Sequence, residues 1–315
     1  LDNTLHWLWV VGVDHILNTV SPNKELVLIA GGALGLFPVH AAWRENTSTP
    51  TGRDYALDFI TFTYAPSACA LLAAKKKSKL ASSDGLLAIQ EPQPVDGSRL
   101  PSSASEIRIA VSTFQRHRVL RHEAATRDAV MALMPEYPIV HFSCHARADI
   151  DQPLSSGFLM ANSEVLTLRD LLHLRLPLAR LALLSACETG IPDVELPDEV
   201  ISLPAGLLQA GVAGVVASLW SVADISTMLL MTRFYELWRG KNHRPYEALR
   251  QAQKWVRDTT NEDKVRYLRT LMSDQIMEGA DQQFFQPLER LNERSGNKCD
   301  FAHPHHWSAF QYVGI

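Results

Sequence analysis

Short apolar runs, bounded by turn signals and alternating with stretches of helical spacing, constrain this chain more than any other feature. The sharpest is RLALLS at 180–185, where every side chain between Arg180 and Ser185 is apolar. Such a run is too short for a helix and too apolar for a strand with one wet face, so it reads as a strand buried on both faces. ELVLIA at 25–30 reads as a buried strand too, and so do LLAIQ at 86–90, IVHFS at 139–143 and the segment from Val212 to Leu219. YALDFITFTY at 55–64 alternates well enough for a further strand. Between these runs the spacing predicts helices over 5–17 (mostly buried), from Pro66-Ser67 to Lys75, and over 104–115, 124–134, 199–210, 222–238 and 245–257. Strands alternating with helices imply a mostly parallel sheet covered on both faces. The stretch 91–105 reads as an exposed loop and 272–302 as an irregular polar insertion.

Composition narrows the function. Hydrophobic residues make up 46% of the 315 and charged residues 20%, a balance that allows a packed core in one large domain or two modest ones. The net charge of -4 provides no basic footprint for nucleic acid. The basic run Lys75–Lys79 reads as a solvated helix end. Cys69, Cys144, Cys187 and Cys299 form no CxxC pair, which points to free thiols in a reducing, cytoplasmic setting. The apolar stretch Leu5–Leu17 is broken by Asp14 and His15, is too short to span a bilayer and lacks a basic n-region. The absence of an initial Met suggests a piece of a longer protein. Gly31-Gly32-Ala33-Leu34-Gly35 lacks dinucleotide-loop spacing, and no G-x-x-x-x-G-K-[ST] or G-x-S-x-G occurs.

Two strand ends carry chemistry. IVHFS runs out into Cys144-His145-Ala146, and RLALLS into Ala186-Cys187-Glu188-Thr189-Gly190. Sites in parallel sheets form beyond the carboxyl ends of the strands. The 42 residues from His145 to Cys187 leave room for a crossover helix between two parallel strands. An imidazole beside a thiol lowers its pKa or takes its proton, and can then protonate a leaving amine. Backbone N–H groups in the turns could hold an oxyanion, with Ala146 and Gly190 small enough to admit substrate. A strand-end cysteine also serves as a small buried hydrophobe and a single histidine as a structural residue, so pattern alone leaves both readings open. His141 and Cys144 read as strand residues facing the core. Cys144, His145 and Cys187 lack paired zinc spacing, so no metal is expected. His303, His305 and His306 read as packing or a surface turn.

HFSCHA resembles the histidine motif, and LALLSACETG the cysteine motif, of the CHAT domain family, caspase-like peptidases in one clan with caspases and separase. GGALGLFPVHAAW, TYAPSACALL, PLSSG at 153–157, LTLRDLL at 166–172, ASLW at 217–220 and the closing HPHHWSAFQYVG are similar to further pieces of that family. The resemblance spans residues 5 to 315. It implies a caspase-like three-layer α/β/α sandwich with a degenerate first half (1–100) and a catalytic second half (101–315). It implies a cysteine endopeptidase with His145 as base, Cys187 as nucleophile, the backbone of Ala146 and Cys187 as oxyanion donors, and no cofactor. Where caspases carry His-Gly, this chain carries His145-Ala146. SLWSVADIS resembles the region where separase places an acidic residue, so Asp224 would line the pocket and attract Lys or Arg. Its other reading is a helix N-terminal carboxylate. Glu188 and Asp198 are further acidic candidates. The implied partners are a protein substrate and an activator or repeat-type regulatory segment, with no nucleic acid or membrane. The rival reading is a non-catalytic interaction module.

Overall fold

The structure, a computed structural model, describes residues 1–21, 24–79, 84–147, 149, 151–185, 202–273 and 282–315. In chain order the strands are β1 (Glu25–Leu28), β2 (Trp43–Glu45), β3 (Arg53–Tyr55), β4 (Thr61–Tyr64), β5 (Leu86–Pro92), β6 (His117–His122), β7 (Ile139–Ser143), β8 (Ala146–Arg147), β9 (Gly157–Leu159), β10 (Val165–Thr167), β11 (Leu181–Leu184), β12 (Gly214–Ser218) and β13 (Phe310–Gly314). The α-helices are α1 (Asp2–Leu8), α2 (Asp14–Thr19), α3 (Ala56–Phe59), α4 (Ala68–Ser78), α5 (Ser103–Ser112), α6 (Arg127–Leu133), α7 (Leu168–His173), α8 (Leu203–Ala210), α9 (Asp224–Tyr235), α10 (Pro245–Asp258), α11 (Asn261–Ser273) and α12 (Gln282–Asn292).

Eight of the described strands form one sheet in the order β1-β4-β13-β12-β11-β7-β5-β6. Its described pairings are parallel except β12 with β13. The sheet is therefore two parallel blocks of opposite direction, meeting at that one antiparallel seam. β5 lies between β6 and β7, and β13, from the end of the chain, lies between β4 and β12.

Alternation along each central strand divides the core in two. Leu86 and Ala88, Ile139, and Leu181 and Leu183 face a core shared with Ile107 of α5, Leu229 of α9 and Leu249 of α10. Leu87 and Ile89, Val140 and Phe142, and Ala182 and Leu184 face a second core, with Val130 of α6, Leu171 of α7 and Leu207 of α8. Covering both faces is what makes these strands read as unbroken apolar runs. Each fully buried Leu or Ile contributes about 1.5–3 kcal/mol.

Several expectations are corrected. The segment 55–64 is not one strand. Asp58 accepts the N–H of Tyr55 (3.0 Å) and draws 56–59 into the helical turn α3, so the segment splits into Tyr55, which ends β3, and the strand Thr61–Tyr64. The first helix is interrupted by a π turn at Trp9–Val13 and buries one stripe, Leu5, Leu8, Trp9 and Val13, while Trp7, Val10 and Val11 stay about half exposed. β1 is an edge strand and only partly buried. The region 272–302 contains α12, whose polar face hid its period. The strand β6, at the other edge, shows no apolar run in the sequence because HRVLRH is mostly solvated. Lys75, Lys76 and Lys77 lie in the last turn of α4, where cations favour the helix dipole. Among the described residues, no helix is long and apolar enough to cross a membrane.

Candidate active site

β7 and β11 are neighbours in parallel register, with Leu183 opposite His141 and Leu184 opposite Phe142. The two chains therefore leave the same edge of the sheet together. Ser185 extends the pairing past the end of β11: its N–H (3.0 Å) and its hydroxyl (3.1 Å) both donate to the carbonyl of Phe142. Two residues beyond β7 lies His145. Cys187, Glu188 and Asp198 fall outside the described residues.

His145 is half-buried, and its Nε2 lies 2.7 Å from the carbonyl oxygen of Ser98. A carbonyl only accepts, so Nε2 carries the proton and the neutral ring has its lone pair on Nδ1. Gly97 makes this approach possible, because a Cβ there would sit 2.8 Å from His145 Cδ2 and 2.9 Å from Nε2. Neither residue stood out in the sequence, where both sit inside a polar, Pro/Ser/Gly-rich loop. The only available signal was a glycine in that loop.

Ala146, the expected oxyanion donor, opens β8 and pairs with Phe158 of β9. The N–H of Leu159 donates to the carbonyl of His145 (2.9 Å). That bond puts Ala146 at the non-hydrogen-bonded position of the pair, so its N–H turns away from β9. Together β8, β9 and β10 form a small antiparallel sheet unforeseen in the sequence.

Beneath the strand ends lies a buried polar network. His141 is fully buried, with Nε2 2.8 Å from Glu106 Oε1 and 3.0 Å from Ser185 Oγ, and Nδ1 3.0 Å from the Tyr235 hydroxyl. The hydroxyl of Ser143 donates within reach of Ser103 Oγ (2.7 Å) and Glu106 Oε2 (3.3 Å). Burial, reinforced by the charge of Glu106, pushes the Tyr235 phenol well above its usual range, so it stays a donor to His141. His141 and Cys144 are both buried as expected, yet His141 is the hub of a network spanning α5, β7, α9 and the end of β11 rather than a plain core residue.

Asp224 opens α9 beyond the carboxyl end of β12, and its Oδ2 accepts the backbone N–H of Ser102 at 2.9 Å. It thereby joins the start of α9 to the start of α5. Burial pushes its carboxyl above the usual range, the hydrogen bond from the Ser102 N–H opposes this, and the charge of Glu106 adds to it. Near residue 305, His303 caps a 3₁₀ turn, Pro304–His306, that contains His305 and His306, and the carbonyl of His305 accepts from Trp220 Nε1 (3.0 Å). Among the described residues no three His, Cys, Asp or Glu side chains converge as a metal-ligand set, and Cys69, Cys144 and Cys299 form no disulfide.

The sequence profile of the CHAT domain matches residues 2–315. No curated protein matches. Among solved structures, separase in two separase–securin complexes from Saccharomyces cerevisiae is similar in fold. One aligns with a TM-score of 0.56 at 12% identity, covering 92% of this chain and 15% of separase. The other aligns at 0.52 and 14% identity, covering 72% of this chain and 14% of separase. This chain thus spans about one seventh of those relatives. The Arg-specific cysteine proteinase gingipain R aligns at 0.46 with 10% identity, covering 81% of this chain and 54% of that one.

Proposed function

This chain belongs to the CHAT domain family of caspase-like peptidases, and we propose that it is a cysteine endopeptidase with His145 as base and Cys187 as nucleophile. The observation that carries this is the Ser98 carbonyl on His145 Nε2 at the edge where β7 and β11 end together. It holds the ring in the tautomer a base needs, with the lone pair on Nδ1.

In the proposed reaction Nδ1 takes the thiol proton of Cys187. The thiolate attacks the scissile carbonyl carbon and forms the C–S bond, and the oxyanion is met by the N–H groups of Ala146 and Cys187. As the intermediate collapses, the C–N bond breaks and the imidazolium returns its proton to the leaving amine. A water then attacks the thioester carbon, giving its proton to Nδ1; the C–S bond breaks, the peptide leaves as its carboxylic acid, and the imidazolium returns the proton to the Cys187 thiolate. The Ser98 carbonyl favours each imidazolium state, because a hydrogen bond from a charged donor is stronger than one from a neutral donor. On this reading an attached or partner sensor segment controls activity, and full constitutive turnover of a physiological substrate by the isolated chain would count against that control.

The test is mass-spectrometric profiling on a partly randomised peptide library. Cleavage by the wild type and its loss in both Cys187→Ala and His145→Ala is the expected result. Cleavage that survives either change would sink the dyad. An electrophilic probe that spares Cys187 in a chain that cleaves nothing would sink the enzyme reading altogether.

A further inference from the structure

The carbonyl that holds His145 belongs to a loop without regular structure between β5 and α5, so something must hold the loop. Glu91, the last residue but one of β5, is 3% exposed, and its Oε1 accepts from Arg99 Nε (2.8 Å) and from the backbone N–H of Leu100 (2.9 Å). Those two residues directly follow Ser98. The backbone of Glu91 has φ +41°, and the carbonyl of Glu91 lies 3.1 Å from Nδ1 of His122, itself at φ +48°. Two neighbouring strands thus carry left-handed, non-glycine residues at or next to their ends, a strained arrangement that persists only where its surroundings enforce it. The loop is tied elsewhere by Ser163 N–H to the Pro94 carbonyl (3.0 Å) and Ser102 N–H to Asp224.

We propose that Glu91 is a positioning residue for the active-site histidine, clamping Arg99 and Leu100 so that the Ser98 carbonyl stays on His145 Nε2. This rests on the dyad reading for its catalytic consequence but not for its geometry. Removing the carboxylate leaves two donors without their acceptor and lets the loop shift. The imidazole then loses the partner that selects its tautomer and stabilises its charged form.

The test is nitrogen-15 NMR of the histidine rings in the full chain, with His145→Ala assigning the signal, alongside turnover of the best library peptide. The variants are Glu91→Ala and the conservative Glu91→Gln, which keeps an acceptor for Leu100. In the wild type the neutral His145 ring is expected as the Nε2–H tautomer. Glu91→Ala is expected to give mixed tautomers, a lower imidazolium pKa and a kcat about 10- to 100-fold lower with KM within twofold. Glu91→Gln is expected to restore most of each. A Glu91→Ala protein that melts as the wild type does and keeps the wild-type tautomer and pKa overturns the proposal. Should Glu91→Ala fail to fold, Arg99→Met decides it, because it removes one of the two donors that Glu91 holds: an unchanged ring signal there removes the role. If the ring responds while no variant, wild type included, cleaves peptide, the positioning stands, and a probe that also spares Cys187 overturns the dyad reading alone.

Discussion

At the scale of single residues the candidate site depends on a close approach that one methyl group would spoil. A Cβ on Gly97 would lie 2.8 Å from the His145 ring, and backbone cannot yield there as cheaply as the imidazole can turn. Gly97→Ala is therefore expected to lower kcat by about 100-fold while the melting temperature holds. Activity within twofold of wild type would show that the ring position is not critical. Asp224 offers a second measurement. Asp224→Asn keeps an oxygen for the Ser102 N–H but removes the charge. If that carboxylate selects basic residues, the library profile loses its Lys or Arg preference. A preserved preference would leave Asp224 only the task of joining α5 to α9. HFSCHA and LSACETG were legible because each is contiguous. Ser98 was not, since it meets His145 across 47 positions through a backbone carbonyl that any residue could supply.

Between elements, the Glu106–His141 pair matters most, because it ties α5 to β7 and, through Ser185, to the end of β11. Both partners are buried, so truncating one strands the other's polar groups. Glu106→Ala is expected to destabilise the fold by about 3–5 kcal/mol in urea unfolding, with Glu106→Gln milder since it keeps an acceptor. A loss below about 1 kcal/mol would mean that water replaces the carboxylate. The sequence displayed His141 as one more residue of an apolar strand, and its partner Glu106 lies 35 positions away in an amphipathic helix. Asp58 teaches the same lesson for secondary structure. Its neighbours alternate like a strand, but its carboxylate accepts from Tyr55 N–H and from both Nη1 and Nη2 of Arg257 in α10, which favours a helical turn.

For the whole molecule, acid stability follows from a second buried histidine, on the other side of the antiparallel seam. His40 sits with Nδ1 2.7 Å from the Tyr64 hydroxyl and Nε2 3.2 Å from the Gln253 amide, linking the β4 end of the sheet to α10. Burial holds its pKa down to about 3. The folded value lies below the unfolded 6.5, so between the two the unfolded chain binds the extra proton. The contribution of neutral His40 is complete above pH 6.5 and is lost as pH falls toward 3, amounting to about 2 kcal/mol by pH 5. Unfolding free energies measured from pH 7.5 to 4.5 should therefore fall more steeply for the wild type than for His40→Gln. Parallel curves would place the acid sensitivity elsewhere.

The sequence by itself determined the α/β class, the buried strands β5, β7, β11 and β12, and the two strand ends that His145 and Cys187 follow. These are properties of consecutive side chains, and burial on both faces writes them as apolar runs. Only the tertiary structure decided the rest: the reversal of direction between β12 and β13, the glutamate beneath His141, and the Glu91-clamped loop whose carbonyl meets His145. Those depend on hydrogen bonds between groups far apart in the chain, several of them backbone groups, and backbone atoms carry no mark of their partners in the order of side chains.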